Sequence, residues 1–126
     1  MEDDSYCVCA LDGVISILGK KWVLLTVNSI GNAGTARFSF LLKELAGVSP
    51  STLTYILREL EANGLIVRKS FPEIPPRVEY SLSDDGKRLR EAMMPLLRWA
   101  AEKDQYKNLE SSCKPQDYVR LDSSSS

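Results

Sequence analysis

The sequence contains no histidine, only three cysteines, and no apolar run approaching the ~18 residues that a membrane-spanning helix requires. Without histidine the chain lacks the commonest general base and the commonest metal ligand, and no Ser-His-Asp set can be assembled. Three cysteines are an odd number, too few for a disulfide framework, which points to a reducing interior. Their spacing, Cys7, Cys9 and Cys113, matches no zinc pattern. There is no glycine-rich phosphate loop, and the carboxylates fall on solvated positions. The first residues, Met-Glu-Asp-Asp, lack the basic start of a signal peptide. Neither sign of charge dominates, with 16 Lys+Arg against 17 Asp+Glu and a net charge of −1. A polyanion would therefore have to be held by a local patch. These absences point away from an enzyme, a cofactor, a metal centre or a membrane partner, and toward a small cytoplasmic protein. At 126 residues and 44% hydrophobic, the chain suits one compact core.

What is present is a run of short helical patterns. Asp12 is placed to cap a helix with Leu11, Val14, Ile15 and Leu18 on one face, ended by Gly19. Trp22 to Ile30 is apolar nearly all round, the mark of a central buried helix. Gly31-Asn32-Ala33-Gly34-Thr35 reads as a turn. Phe38, Leu41, Leu42 and Leu45 form the next stripe, expected to run to Ala46. Ser49-Pro50 then starts a new helix, with a hydroxyl at the cap and proline at the first position. Its stripe is Leu53, Ile56, Leu57 and Leu60, and Asn63-Gly64 closes it.

After Gly64 the period changes to two. Leu65 to Phe71 and Arg77 to Leu82 read as two strands, joined by the tip Pro72-Glu73-Ile74-Pro75-Pro76. Val78 and Tyr80 fall on the inward face of this hairpin. Ser83-Asp84-Asp85 opens a long helix carrying Leu89, Met93, Leu96, Leu97 and Ala100 on one face, with Trp99 beside them. Pro95 lies inside it and should kink it or remove a hydrogen bond. From about Tyr106 the chain turns polar. The organisation expected is an N-terminal arm over 1–8, one domain over 9–104 and a disordered polar tail over 105–126.

Two helices joined by a Gly-containing turn and followed by a hairpin make a helix-turn-helix with a wing, mainly α with a small β-hairpin. In that motif the second helix enters the DNA major groove. With its leucines inward, the helix from Pro50 turns Ser51, Tyr55 and Arg58 outward, flanked by Thr52 and Thr54. These neutral donors and acceptors, plus one cation, are the chemistry of base edges and phosphates. From Arg37 to Arg77 six bases face four acids. Simple solvation is the plain alternative for each of these side chains taken singly, so the order of elements is the stronger signal. Ser49 joins the recognition face. Arg37, Ser39 and Lys43 suit the phosphate backbone, and Arg68, Lys69 and Arg77 the wing. Arg77 has two readings, a groove or phosphate contact, or an ion pair with an acid such as Glu79. Trp22 reads as a core anchor.

These residues resemble the HxlR-type winged helix-turn-helix transcriptional regulators, related in fold to the MarR and ArsR groups. The matching segments are Cys9-Ala10-Leu11-Asp12, Gly19-Lys20-Lys21-Trp22, Arg37-Phe38-Ser39, Val48 to Leu53, Leu57 to Glu61 and Gly64-Leu65-Ile66. The most specific is Pro72 to Leu82, followed by Gly86 and Trp99. The likeness spans roughly residues 7 to 103. It implies a homodimeric DNA-binding regulator whose interface joins the N-terminal segment to the last helix, here Leu11 with Leu89, Met93, Leu96, Leu97 and Trp99. A two-fold dimer sets its recognition helices about 34–36 Å apart and calls for an inverted-repeat operator in double-stranded DNA. The resemblance also draws attention to Cys9, since some relatives use a cysteine before the first helix as a redox or electrophile sensor. Cys9 has two readings, a sensor thiol activated at a helix N-terminus or a small buried residue of the interface. Cys7 is a second thiol nearby, and Ala10 replaces the proline usual after Cys9. A winged helix that binds protein and has no operator remains the alternative function.

Overall fold

A computed structural model describes residues 5–103. Its elements are α1 (Cys9–Leu18), α2 (Lys21–Ala33), α3 (Phe38–Glu44), α4 (Pro50–Ala62), β1 (Ile66–Phe71), β2 (Arg77–Leu82) and α5 (Asp84–Ala101). The expected polar tail, and Cys113 with it, lies outside the described residues.

The core forms where the apolar stripes meet. Val23, Val27 and Ile30 of α2, Leu41 of α3 and Leu53 and Leu60 of α4 are fully buried. Ile17, Leu45, Val48, Ile56, Leu57, Ile66 and Leu82 close around them. The buried stripe of α4 is thus the one its spacing predicts, which fixes what the opposite face presents to solvent.

Three helix boundaries differ from the sequence reading. Asp12 does not cap α1. The helix begins at Cys9 and leaves Asp12 in its first turn, where a carboxylate still favours the helix dipole. Nor does α2 stop at Gly31. It continues to Ala33, and the chain reverses at Gly34, whose φ is +80°. Gly31 serves packing instead: a Cβ there would stand 2.3 Å from Cδ of Arg90, which crosses α2 at this point. Arg90 reaches from α5 to Asn28 Oδ1 at 3.4 Å and also donates to Asn32 Oδ1. Burial lowers the pKa of its guanidinium, and these amide oxygens take the place of lost water. The third helix ends at Glu44, two residues before the expected Ala46.

The strands pair antiparallel from Ile66↔Leu82 to Phe71↔Arg77. The five-residue tip between them includes a cis Ile74-Pro75 bond. Ala36 extends the sheet by one bridge, exchanging two hydrogen bonds with Tyr80 at 2.7 and 2.8 Å. At the other end Ser83 caps α5, accepting from the Gly86 amide at 3.0 Å and donating to the Gly64 carbonyl at 2.6 Å. Gly86 sits so close to the turn that a Cβ would fall 2.0 Å from the Leu65 carbonyl oxygen. This junction anchors the long helix to the wing. α5 continues across Pro95 to Ala101. The architecture is mainly α with a two-stranded wing, a winged helix-turn-helix.

Candidate nucleic-acid interface

The α3-turn-α4 unit owes its shape to one glycine and one cap. Gly47 adopts φ +103°, and a Cβ there would meet the Trp22 ring only at an ordinary 3.7 Å. The demand at Gly47 is therefore conformational, not steric. Ser49 then caps α4: its Oγ accepts from the Thr52 amide at 3.1 Å and lies 2.9 Å from Thr52 Oγ1. Its hydroxyl is thus engaged in starting the helix as well as standing at the edge of the helix's outer face.

The outer face of α4 is open. Ser51, Tyr55 and Arg58 are exposed, with Thr52 and Thr54 half-buried on either side. Thr54 Oγ1 bonds back to the Pro50 carbonyl at 2.9 Å. No acid lies in the first turn of α4. Glu59 and Glu61 follow later, so the N-terminal half presents hydroxyls and a phenol. Arg37 precedes α3 in an extended conformation, and Ser39 and Lys43 lie on its exposed side.

Between α4 and the wing runs a cleft of about 370 Å³ lined by Phe38, Thr54, Leu57, Arg58, Glu61, Arg68 and Tyr80. It brings Arg58 of the helix and Arg68 of the wing to one site, with Glu61 of α4 also on its lining. Arg68 also donates to Ser70 Oγ at 3.0 Å, and Lys69 stands 5.5 Å from the Phe71 ring. Arg77 is differently placed. Its guanidinium lies 2.9 Å from Glu73 and 3.5 Å from Glu79, and 4.0 Å from the centre of the Phe71 ring. Of the two readings open for Arg77, the ion pair is the one present here.

One neighbour of this surface was hidden in the sequence. Lys20 Nζ sits 5.5 Å from the Tyr55 ring centre and donates to the Ser16 carbonyl at 2.9 Å. Lys21 lies 4.9 Å from the ring of Trp22. Both lysines are thus directed to these groups, and Lys20 borders α4. The Lys20-Lys21-Trp22 run signals a basic helix start, but nothing in its spacing says which helix it will face.

Cys7 and Cys9, read from the sequence as two thiols, are joined in a disulfide. A Cα separation of 5.1 Å across a single intervening residue permits the bond. The Cys9 amide also donates to Cys7 Sγ at 3.1 Å, and both residues are exposed. Beside them Val8, at the N-cap of α1, and Leu11, Val14 and Ile15 within it lie in solvent. On α5, Leu96, Leu97 and Trp99 are exposed, while Met93 is half-buried and Leu89 packs against the core. Leu89 and Arg88 also line a cleft of about 400 Å³ against Val14 and Ile17 of α1. Among the described residues no helix is long and apolar enough to cross a membrane. No group of three or more metal-ligating side chains is found there either.

Comparison with known proteins agrees with this arrangement. An uncharacterized HTH-type transcriptional regulator of Bacillus subtilis (strain 168), YvaP, is 41% identical over 88 residues, covering 70% of this chain and 81% of that protein. The reduced form of the transcriptional regulator YodB from B. subtilis superposes with a TM-score of 0.70 at 28% identity, over 79% of this chain and 96% of that one. The redox regulator HypR in its oxidised form gives a TM-score of 0.68 at 28% identity, over 75% and 97%. The HxlR-like helix-turn-helix family matches residues 17–108. With its stripe-packed helix pair, its wing and these relatives, the chain belongs to the HxlR-like helix-turn-helix family of transcriptional regulators.

Proposed function

We propose that the protein is a sequence-specific regulator that binds an inverted-repeat operator as a homodimer, with α4 in the major groove and the wing on the flanking backbone or minor groove. The observation that carries this reading is the division of α4 into two faces. Leu53, Ile56, Leu57 and Leu60 are buried, so Ser51, Thr52, Tyr55 and Arg58 are left to meet a partner. Ser49, Arg37, Ser39 and Lys43 border that face, and Arg68 and Lys69 extend it along the wing. Hydroxyls, a phenol and cations without early acids complement base edges and phosphates.

The second copy would cover the apolar residues of α1 and α5. Val8, Leu11, Ile15, Leu96 and Trp99 are each more than half exposed in the single chain, an arrangement that marks an interface. Cys7 and Cys9 adjoin that face. We assign them a redox role: two thiols yield two protons and two electrons to an oxidant of the peroxide class and form the disulfide, altering the start of α1. YodB and HypR, solved in reduced and in oxidised or diamide-treated forms, support this assignment.

The test is a mobility-shift titration at several salt concentrations, using duplexes that the protein itself recovers from a random pool. Specific retardation that weakens steeply with salt is the expected result. Failure to retard any duplex at low salt would favour a winged helix that binds protein.

A further inference from the structure

Ile74, at the tip of the wing, is the most exposed large apolar residue in the described chain. Its surroundings hold it there. The buried end of the hairpin is Ile66↔Leu82, and Phe71↔Arg77 lies five residues further along the ladder, about 17 Å away. Ile74 stands beyond that outer pair. Arg77 clasps the loop at its base, binding Glu73 within the tip and Glu79 on β2 while lying over Phe71. Pro72, Pro75 and Pro76 each fix one backbone angle. The loop is thus braced by groups other than Ile74, whose side chain stands free in solvent.

Its flanks favour one kind of partner. Over β1, the tip and β2, three cations face two carboxylates, and both carboxylates are paired to Arg77. Arg68 and Lys69 remain exposed on β1, and Arg68 shares its cleft with Arg58 of the recognition helix. A braced apolar tip on a cationic hairpin beside a groove-reading helix has the composition of a minor-groove wedge. Such wedges are apolar side chains inserted between base steps, with cations on the adjoining phosphates.

We infer that Ile74 enters the minor groove beside the site held by α4 and partly unstacks one base step, favouring the easily opened pyrimidine–purine steps. This rests on the DNA-binding reading above. It also assigns Arg77 to the bracing of the tip, with Ile74 as the residue that touches DNA.

The experiment uses the full chain and a duplex selected by it from a random pool, carrying 2-aminopurine at successive flanking positions. The wild-type protein should raise fluorescence at one flanking step. Ile74→Ser should abolish that rise and weaken binding roughly tenfold or more, the loss expected when an isoleucine contact disappears. The dependence of log K on log salt should not change, because no phosphate contact is lost. Ile74→Leu should keep both the rise and the affinity. Since Ile74 touches no core residue, both variants should melt with the parent. The wedge is overturned if the rise survives in Ile74→Ser, if the wild type shows no rise at any step, or if Ile74→Ser binds as the wild type does. The last result would leave the tip for a protein surface. A wild-type chain that recovers no duplex at all would defeat the DNA-binding reading itself, a failure distinct from these.

Discussion

Helix α4 and the two terminal helices dispose of their apolar residues in opposite ways. On α4, the four residues of the apolar stripe are buried within the chain and the outward face is polar. On α1 only Ile17 is buried, while Leu11, Val14 and Ile15, with Val8 at the N-cap, face solvent. On the second half of α5, Leu96, Leu97 and Trp99 do the same. The first arrangement is complete in one chain and leaves a polar face in solvent. The second is incomplete, and its natural complement is another apolar surface. The same physical rule, burial of one stripe per helix, therefore separates a polar outer face, which we propose for DNA, from an apolar one, which we propose for a second subunit.

The most damaging substitutions fall on the buried side of α4. Leu53→Ala or Leu60→Ala removes a fully buried leucine at the centre of the helix-turn-helix and should cost about 2–5 kcal/mol in urea unfolding. Gly86→Ala should be comparably harmful, because the new methyl group would strike the Leu65 carbonyl and not a side chain that can move aside. On the terminal helices the expected result is different in kind. Leu96→Glu places a charge on a side chain that is 60% exposed, so the single chain should fold normally. Sedimentation should nevertheless report a monomer, and operator affinity should fall because two half-sites are no longer held together. If Leu96→Glu sediments as the parent does, the apolar face belongs to something other than a second copy.

The polar side of α4 gives a subtler contrast. Thr52→Ala and Tyr55→Ala should flatten the preference for operator over random duplex, by about 1–3 kcal/mol each where a base contact is lost, with little change in salt dependence. Thr52 carries a complication that the structure makes plain. Its hydroxyl lies against the Ser49 cap, so Thr52→Ser is the cleaner companion variant, keeping the hydroxyl while removing the methyl group.

Periodicity made the helices and the wing legible, because each stripe is read by burial and burial has only one solution in a core this small. Pro50 to Ala62 and the Ser83 cap could be placed from local chemistry alone. Long-range packing could not. Gly31 carries the composition of a turn but lies within α2, where its lack of a side chain leaves room for Arg90, 59 residues further along, to pass over it. Arg77 looks outward by alternation along its strand, yet two acids and an aromatic ring surround its guanidinium. Lys20 precedes Trp22 in sequence and faces Tyr55 in space. Cys7 and Cys9 are too close in sequence for spacing alone to distinguish a pair of thiols from a bridge. In each case the deciding contact involves a partner or a bond that hydrophobic periodicity does not encode.

The smallest expected effect separates the cations of this surface from one another. Lys43 and Lys69 are exposed, and no carboxylate pairs with either among the ion pairs of the described residues. If each meets a phosphate, Lys43→Ala or Lys69→Ala should weaken binding to all duplexes alike and reduce the slope of log K against log salt by about one. Lys20→Ala tests whether the surface extends to α2. Lys20 is held against Ser16 and the Tyr55 ring, so its removal frees the phenol as well as deleting a charge. Lys20→Ala should therefore alter sequence preference through Tyr55 and lower the salt slope by less than one. A full unit of slope with unchanged preference would instead make Lys20 an ordinary phosphate contact, with no role in positioning Tyr55.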